Sequence, residues 1–149
     1  MWQNYRVGQF RTILIPIDLK VAIEEYLINY VALGLDLKKC DFYFQSKRSK
    51  DGKKANAYYS LASMLARYAT FNEFRAVYGD ISAGKIASSL LQASDMLHPQ
   101  LPEFEGNPIP VVVPVGADQD PHLRIARDIV NRAKSYRFIQ LSSTYHKFM

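Results

Sequence analysis

Two short stretches carry side chains suited to holding a small polar ligand. The first is Val115-Gly116-Ala117-Asp118-Gln119-Asp120-Pro121, where an apolar run gives way to glycine, three polar residues and a proline. Gly116 would let the backbone approach a ligand closely. Asp118 can accept hydrogen bonds from sugar hydroxyls, and Gln119 can hold the ammonium or carboxylate of an amino acid. The second stretch is Gln92-Ala93-Ser94-Asp95, set among Ile86, Leu90, Leu91, Met96 and Leu97. A spacing of three puts Gln92 and Asp95 on one helix face. If that face is buried both need partners, because an unsatisfied polar group costs about 1–3 kcal/mol. Each stretch has two readings. Gly116 either turns the chain, with the acids capping a helix, or admits a ligand. Gln92 and Asp95 are either a structural hydrogen-bonded pair or polar readers in an apolar pocket.

Other chemistry is sparse. His98, His122 and His146 are too widely spread for a metal-ligand spacing, so no metal site is expected. There is no G-x-S-x-G elbow and no phosphate-binding P-loop. An enzyme built from these residues would work by positioning and charge stabilisation. The single cysteine, Cys40, reads as a packing residue and fits a reducing compartment. Ser46 to Lys54 holds five basic residues and one acid. It is a solvated loop or a contact for RNA phosphates, and the same choice applies to Arg124, Arg127 and Arg132.

Four apolar runs are candidates for the strands that position these residues: Thr12–Ile17, Asp41–Gln45, Pro110–Val115 and the weaker Phe138–Leu141. Continuous valine and isoleucine suit a parallel sheet covered on both faces. Helical patterns cover Leu19–Leu33, ending at Gly34, then Ala57–Tyr68, Asn72–Tyr78, Ser82–Leu97 and Pro121–Lys134. Thr70 with Glu73, and Asp120 before Pro121, read as helix starts. Pro99 to Pro110 reads as a connection. The order β-α-β-α-α-α-β-α-β argues for the α/β class: a doubly wound, Rossmann-like parallel sheet with a helical insertion at about 55–98. Ligands of such sheets lie beyond the carboxyl ends of the strands, where the 115–119 turn falls. The helix from Pro121 points its positive end there too.

The chain has 149 residues, 48% of them hydrophobic, enough for one ordinary domain over 1–149. Charged residues are 22%, which argues against wholesale disorder. A net charge of +5 favours polyanions only mildly. No apolar run approaches the roughly 20 residues of a membrane span, and MWQNYRVGQF lacks the apolar core of a signal peptide. The expectation is a soluble, cytoplasmic protein.

VVVPVGADQDPHLRIARDIV resembles the strand-turn-helix of tryptophanyl-tRNA synthetases, a class I family with a Rossmann catalytic domain. LLQASDMLHPQLPEF is similar to the preceding helix and loop of its archaeal members. YVALGLDLKKCDFYFQS, FNEFRAVYG, GKI and FIQLSSTYHKFM extend the resemblance over nearly the whole chain. It implies ATP-dependent activation of L-tryptophan to an adenylate, with Mg2+ accompanying the ATP, followed by transfer to tRNA(Trp). At matching positions it implies that Gly116, Ala117 and Asp118 meet the ATP ribose. Gln92 and Gln119 would hold the amino and carboxylate end of tryptophan, Asp95 would face the side-chain pocket, and Val115 would wall the indole. It also implies a homodimer formed largely through the helical insertion. A HIGH-type motif, a KMSKS-type loop and anticodon-recognition helices have no counterpart in these residues, so catalytic residues are unassigned and the isolated chain is expected to be impaired in turnover. WQNYRVGQF is similar to the helix end that follows the first motif. A tyrosyl-tRNA synthetase core shares the Q-x-x-D pattern, but usually has tyrosine where Ser88 stands. A non-catalytic amino-acid or nucleotide-binding fragment is the alternative from another class.

Overall fold

The computed structural model describes residues 3–6, 9–12, 28–36, 38 and 51–146. They fall in two compact units, residues 1–50 and 51–149. The predicted strand at Asp41–Gln45, Cys40 and all of the Thr12–Ile17 run except Thr12 lie outside the described residues.

In the first unit, strand β1 (Gln3–Arg6) pairs antiparallel with β2 (Gln9–Thr12), in a register that sets Arg6 opposite Gln9. Where WQNYRVGQF is expected to end a helix, its described residues are therefore paired antiparallel strands. Residues 28–32 are helical and end where predicted. Gly34 has φ 90°, Leu35 N–H donates to the Tyr30 carbonyl and Gly34 N–H to that of Val31. This is a Schellman cap, which favours glycine because a Cβ disfavours positive φ.

The second unit holds α1 (Gly52–Leu65), α2 (Phe71–Tyr78), α3 (Ala83–Leu97), β3 (Val112–Gly116), α4 (Asp120–Arg132) and β4 (Ser142–His146). α1 starts earlier than its apolar pattern suggested. Asp51 caps it by accepting from the Lys54 N–H at 3.1 Å, so Gly52, Lys53 and Lys54 are its first turn rather than loop. The Thr70/Glu73 capping box is present, with both reciprocal bonds made. Strands β3 and β4 run parallel with Gly116 opposite His146, and with their helices form an α/β unit. The last strand is Ser142–His146, not Phe138–Leu141. The cause is Gln100, whose buried amide accepts from the Ile139 N–H at 2.7 Å and donates to its carbonyl at 2.9 Å. Those two bonds occupy the backbone groups that a strand would use.

The core of this unit lies where α3 and α4 meet α1 and β3. Leu123, Ala126, Ile129 and Val130 form the apolar stripe of α4, against Leu97 and Met96 of α3, Leu61 and Leu65 of α1, and Val113. Leu65, Leu97, Leu123 and Ile129 are fully buried, each stabilising by about 1.5–3 kcal/mol. No helix among the described residues is long and apolar enough to cross a membrane.

Candidate functional site

β3 ends at Gly116, and a 3-10 turn, Ala117–Gln119, leads directly into α4. The backbone of Gly116, φ −66° and ψ 154°, suits any residue. Space is what calls for glycine. A Cβ here would lie 2.4 Å from Asp118 Oδ1, so the carboxylate occupies the room that a side chain would take.

That carboxylate begins a directed chain. Asp118 Oδ2 accepts from Gln119 Nε2 at 2.6 Å, and Gln119 Oε1 accepts from Gln92 Nε2 at 3.4 Å. A carboxylate accepts only, so Gln119 must turn its amino group to Asp118 and its oxygen to Gln92. Gln92 must then offer its own amino group, which leaves Gln92 Oε1 as the loose end. Among the described residues this atom has no partner, and it is buried in a residue 8% exposed. It is an acceptor waiting for a donor.

Asp95 takes a different partner. It is buried, and Tyr58 of α1 donates to its Oδ1 at 2.6 Å. The Tyr58 carbonyl in turn accepts from Ser94 Oγ at 2.8 Å. His98, fully buried, sits edge-on between Tyr58 and Phe104. Thus Gly116, Asp118, Gln119 and Gln92 converge on one junction, whereas Asp95 belongs to the α1–α3 seam. Ala117 is exposed in the turn, and Val115 is half-buried opposite Tyr145.

Asp120 is the first residue of α4, not its N-cap. Gln119 holds the cap position, and its side chain makes no capping bond to the helix. The Asp120 carboxylate is instead drawn to the Tyr145 hydroxyl and to Arg124 Nε at 2.6 Å. The Tyr145 hydrogen bond holds its pKa below the ordinary carboxylate value. Desolvation opposes this, and the Arg124 hydrogen bond and the charges of Arg124 and Arg127 add to the lowering. Arg127 also donates to the Leu141 carbonyl at 3.1 Å and to Ser143 Oγ at 2.6 Å, tying α4 to β4. Arg132 pairs with Glu73. The three helix arginines considered for RNA thus have internal partners.

Sequence reasoning missed Tyr58, Tyr78 and Ser89 and gave His122 only a metal test. Tyr78 Oη lies 2.6 Å from Ser89 Oγ and 3.1 Å from His122 Nδ1, across separations of 11 and 44 residues. No spacing rule reaches partners so far apart in sequence.

A family model described as "tRNA synthetases class I (W and Y)" matches residues 9–149. The tryptophan–tRNA ligase of Methanocaldococcus jannaschii is 46% identical over 134 residues, 87% of this chain and 34% of the relative. That of Aeropyrum pernix is 45% identical over 130 residues, 87% of this chain and 33% of the relative. The crystal structure of tryptophanyl-tRNA synthetase from Aeropyrum pernix superposes with a TM-score of 0.68 at 44% identity, covering 86% of this chain and 33% of that one. Tryptophanyl-tRNA synthetase from Plasmodium falciparum gives a TM-score of 0.55 at 27% identity over 66% of this chain and 28% of that one. The chain spans about a third of the length of these curated relatives.

Proposed function

Because the chain belongs to the class I tRNA synthetases of the tryptophan and tyrosine type, we propose that it supplies the amino-acid and ribose-binding core of a tryptophan–tRNA ligase. In that reaction the tryptophan carboxylate attacks the α-phosphorus of ATP, forming tryptophanyl-adenylate and releasing pyrophosphate. The tryptophanyl group then passes to tRNA(Trp). Mg2+ travels with the triphosphate as part of the substrate. The helical segment at about 55–98 is the proposed homodimer surface. Tryptophan is favoured over tyrosine by the names of the relatives at 45–46% identity.

The observation that carries this reading is Gln92 Oε1, buried beside Gln119 with no partner among the described residues. An amino-acid ammonium is a donor of the right kind, and the bond it would make is charge-assisted, hence stronger than a neutral one. Gln119 then meets the same polar end of the ligand. Asp118, exposed at the carboxyl end of β3 and held by Gln119, keeps acceptor capacity for ribose hydroxyls, with Gly116 and Ala117 offering little steric bulk beside it. The first turn of α4 adds its positive dipole end to the same side. Val115 and Asp95 are the proposed contacts on the indole side.

Calorimetric titration with tryptophan, tyrosine and ATP tests the reading. Tryptophan is expected to bind at least tenfold more tightly than tyrosine. Gln92→Met should weaken binding of both amino acids about tenfold, because the ammonium is common to them, and leave thermal stability unchanged or higher, since it removes an unsatisfied buried acceptor. A preference for tyrosine, or unchanged tryptophan affinity in Gln92→Met, would refute it.

A further inference from the structure

Resting on that reading of the Gln92–Gln119 junction, we infer that Tyr78, with Ser89 and His122, forms a positioning clasp that sets the approach of α3 to the start of α4. The alignment of Gln92 with Gln119 follows from that approach.

Tyr78 is the last residue of α2, and its hydroxyl reaches both α3 and α4. It lies 2.6 Å from Ser89 Oγ on α3 and 3.1 Å from His122 Nδ1 on α4. A phenol has one donor and acceptor lone pairs, so a single hydroxyl can serve both partners. Ser89 precedes Gln92 by three residues and His122 follows Gln119 by three, so on each side the clasp stands one helical turn from the binding pair.

Magnitude decides which contact governs the spacing. The Gln92–Gln119 bond, at 3.4 Å, is longer than the usual range for N–H···O and holds weakly. Both clasp distances are within the ordinary range. The pair that meets ligand is therefore held in place mainly by its neighbours. Lys85 secures the clasp from outside. Its ammonium donates to the Asp80 carbonyl at 2.6 Å and lies 6.0 Å from the centre of the Tyr78 ring.

The test uses the full 149-residue chain. The side-chain amide signals of Gln92 and Gln119 are followed by nitrogen-15 correlation spectra, alongside calorimetric titration with tryptophan. Tyr78→Phe and Ser89→Ala keep the apolar packing and remove one hydroxyl each. Both are expected to shift the two amide signals and to weaken tryptophan binding about tenfold, or about 1.4 kcal/mol. Exposed Ser63→Ala, the control, should move neither. Unmoved amide signals in both variants would overturn the clasp, and so would shifted signals with unchanged affinity. If the wild-type chain binds no tryptophan, the ligand reading falls by itself. The amide signals then still decide whether the clasp aligns the pair.

Discussion

Gly116 shows how one atom's worth of space can define a site. Its φ and ψ are open to any residue, so the need for glycine comes from the Asp118 carboxylate packed against it. Gly116→Ala is expected to fold with a loss under about 1 kcal/mol, because the residue is not in the core. The added methyl should swing Asp118 away and break its bond to Gln119. Nucleotide affinity should then drop about tenfold, while the melting temperature moves by only a few degrees; calorimetry and thermal unfolding would check this. At this scale the sequence named candidate residues but not their wiring. Gln92 and Asp95 do share a helix, as their spacing requires. Which neighbour each would find depended on Gln119 and Tyr58, 27 and 37 residues away.

Elements are fixed by caps and by side chains that reach between them. Thr70→Ala removes both the cap of α2 and the ordered position of Glu73 that receives Arg132. The expected loss is about 1 kcal/mol, read by chemical denaturation. Partial burial raises the Glu73 pKa, but bonds from Arg132 and Thr70 outweigh it and the net value is lowered. The contact of α4 with β4 is similarly charge-dependent. Asp120 is held below the ordinary carboxylate value, chiefly by Tyr145. A carboxyl with a lower pKa folded than unfolded stabilises the fold above its unfolded value, about pH 4, and that stability is lost as pH falls through the folded value. Asp120→Asn should therefore be less stable than wild type at neutral pH, with the gap closing below about pH 4 in denaturation curves measured across pH. The capping box was legible because its four residues are contiguous. The displaced last strand was not, because Gln100 claims the Ile139 backbone from 39 residues away.

Across the whole second unit, the apolar face of α4 joins β3 to the α1–α3 pair. Leu123→Ala should destabilise by about 2–5 kcal/mol, enough to depopulate the fold and to remove ligand binding with it. That loss should track the unfolding curve, unlike the loss in Gln92→Met, which leaves the curve in place. The sequence by itself determined the class of architecture, the helices of the second unit and the turn at Gly116, and it marked residues whose chemistry suits a ligand. These follow from periodicity, caps and residue chemistry, all of which act over a few neighbouring positions. Tertiary structure alone decided that Asp95 is held by Tyr58 and Asp120 by Tyr145, and that Gln92 keeps one buried oxygen without a partner among the described residues. Hydrogen bonds form between whatever atoms packing brings within about 3 Å, and packing joins residues that no local pattern relates.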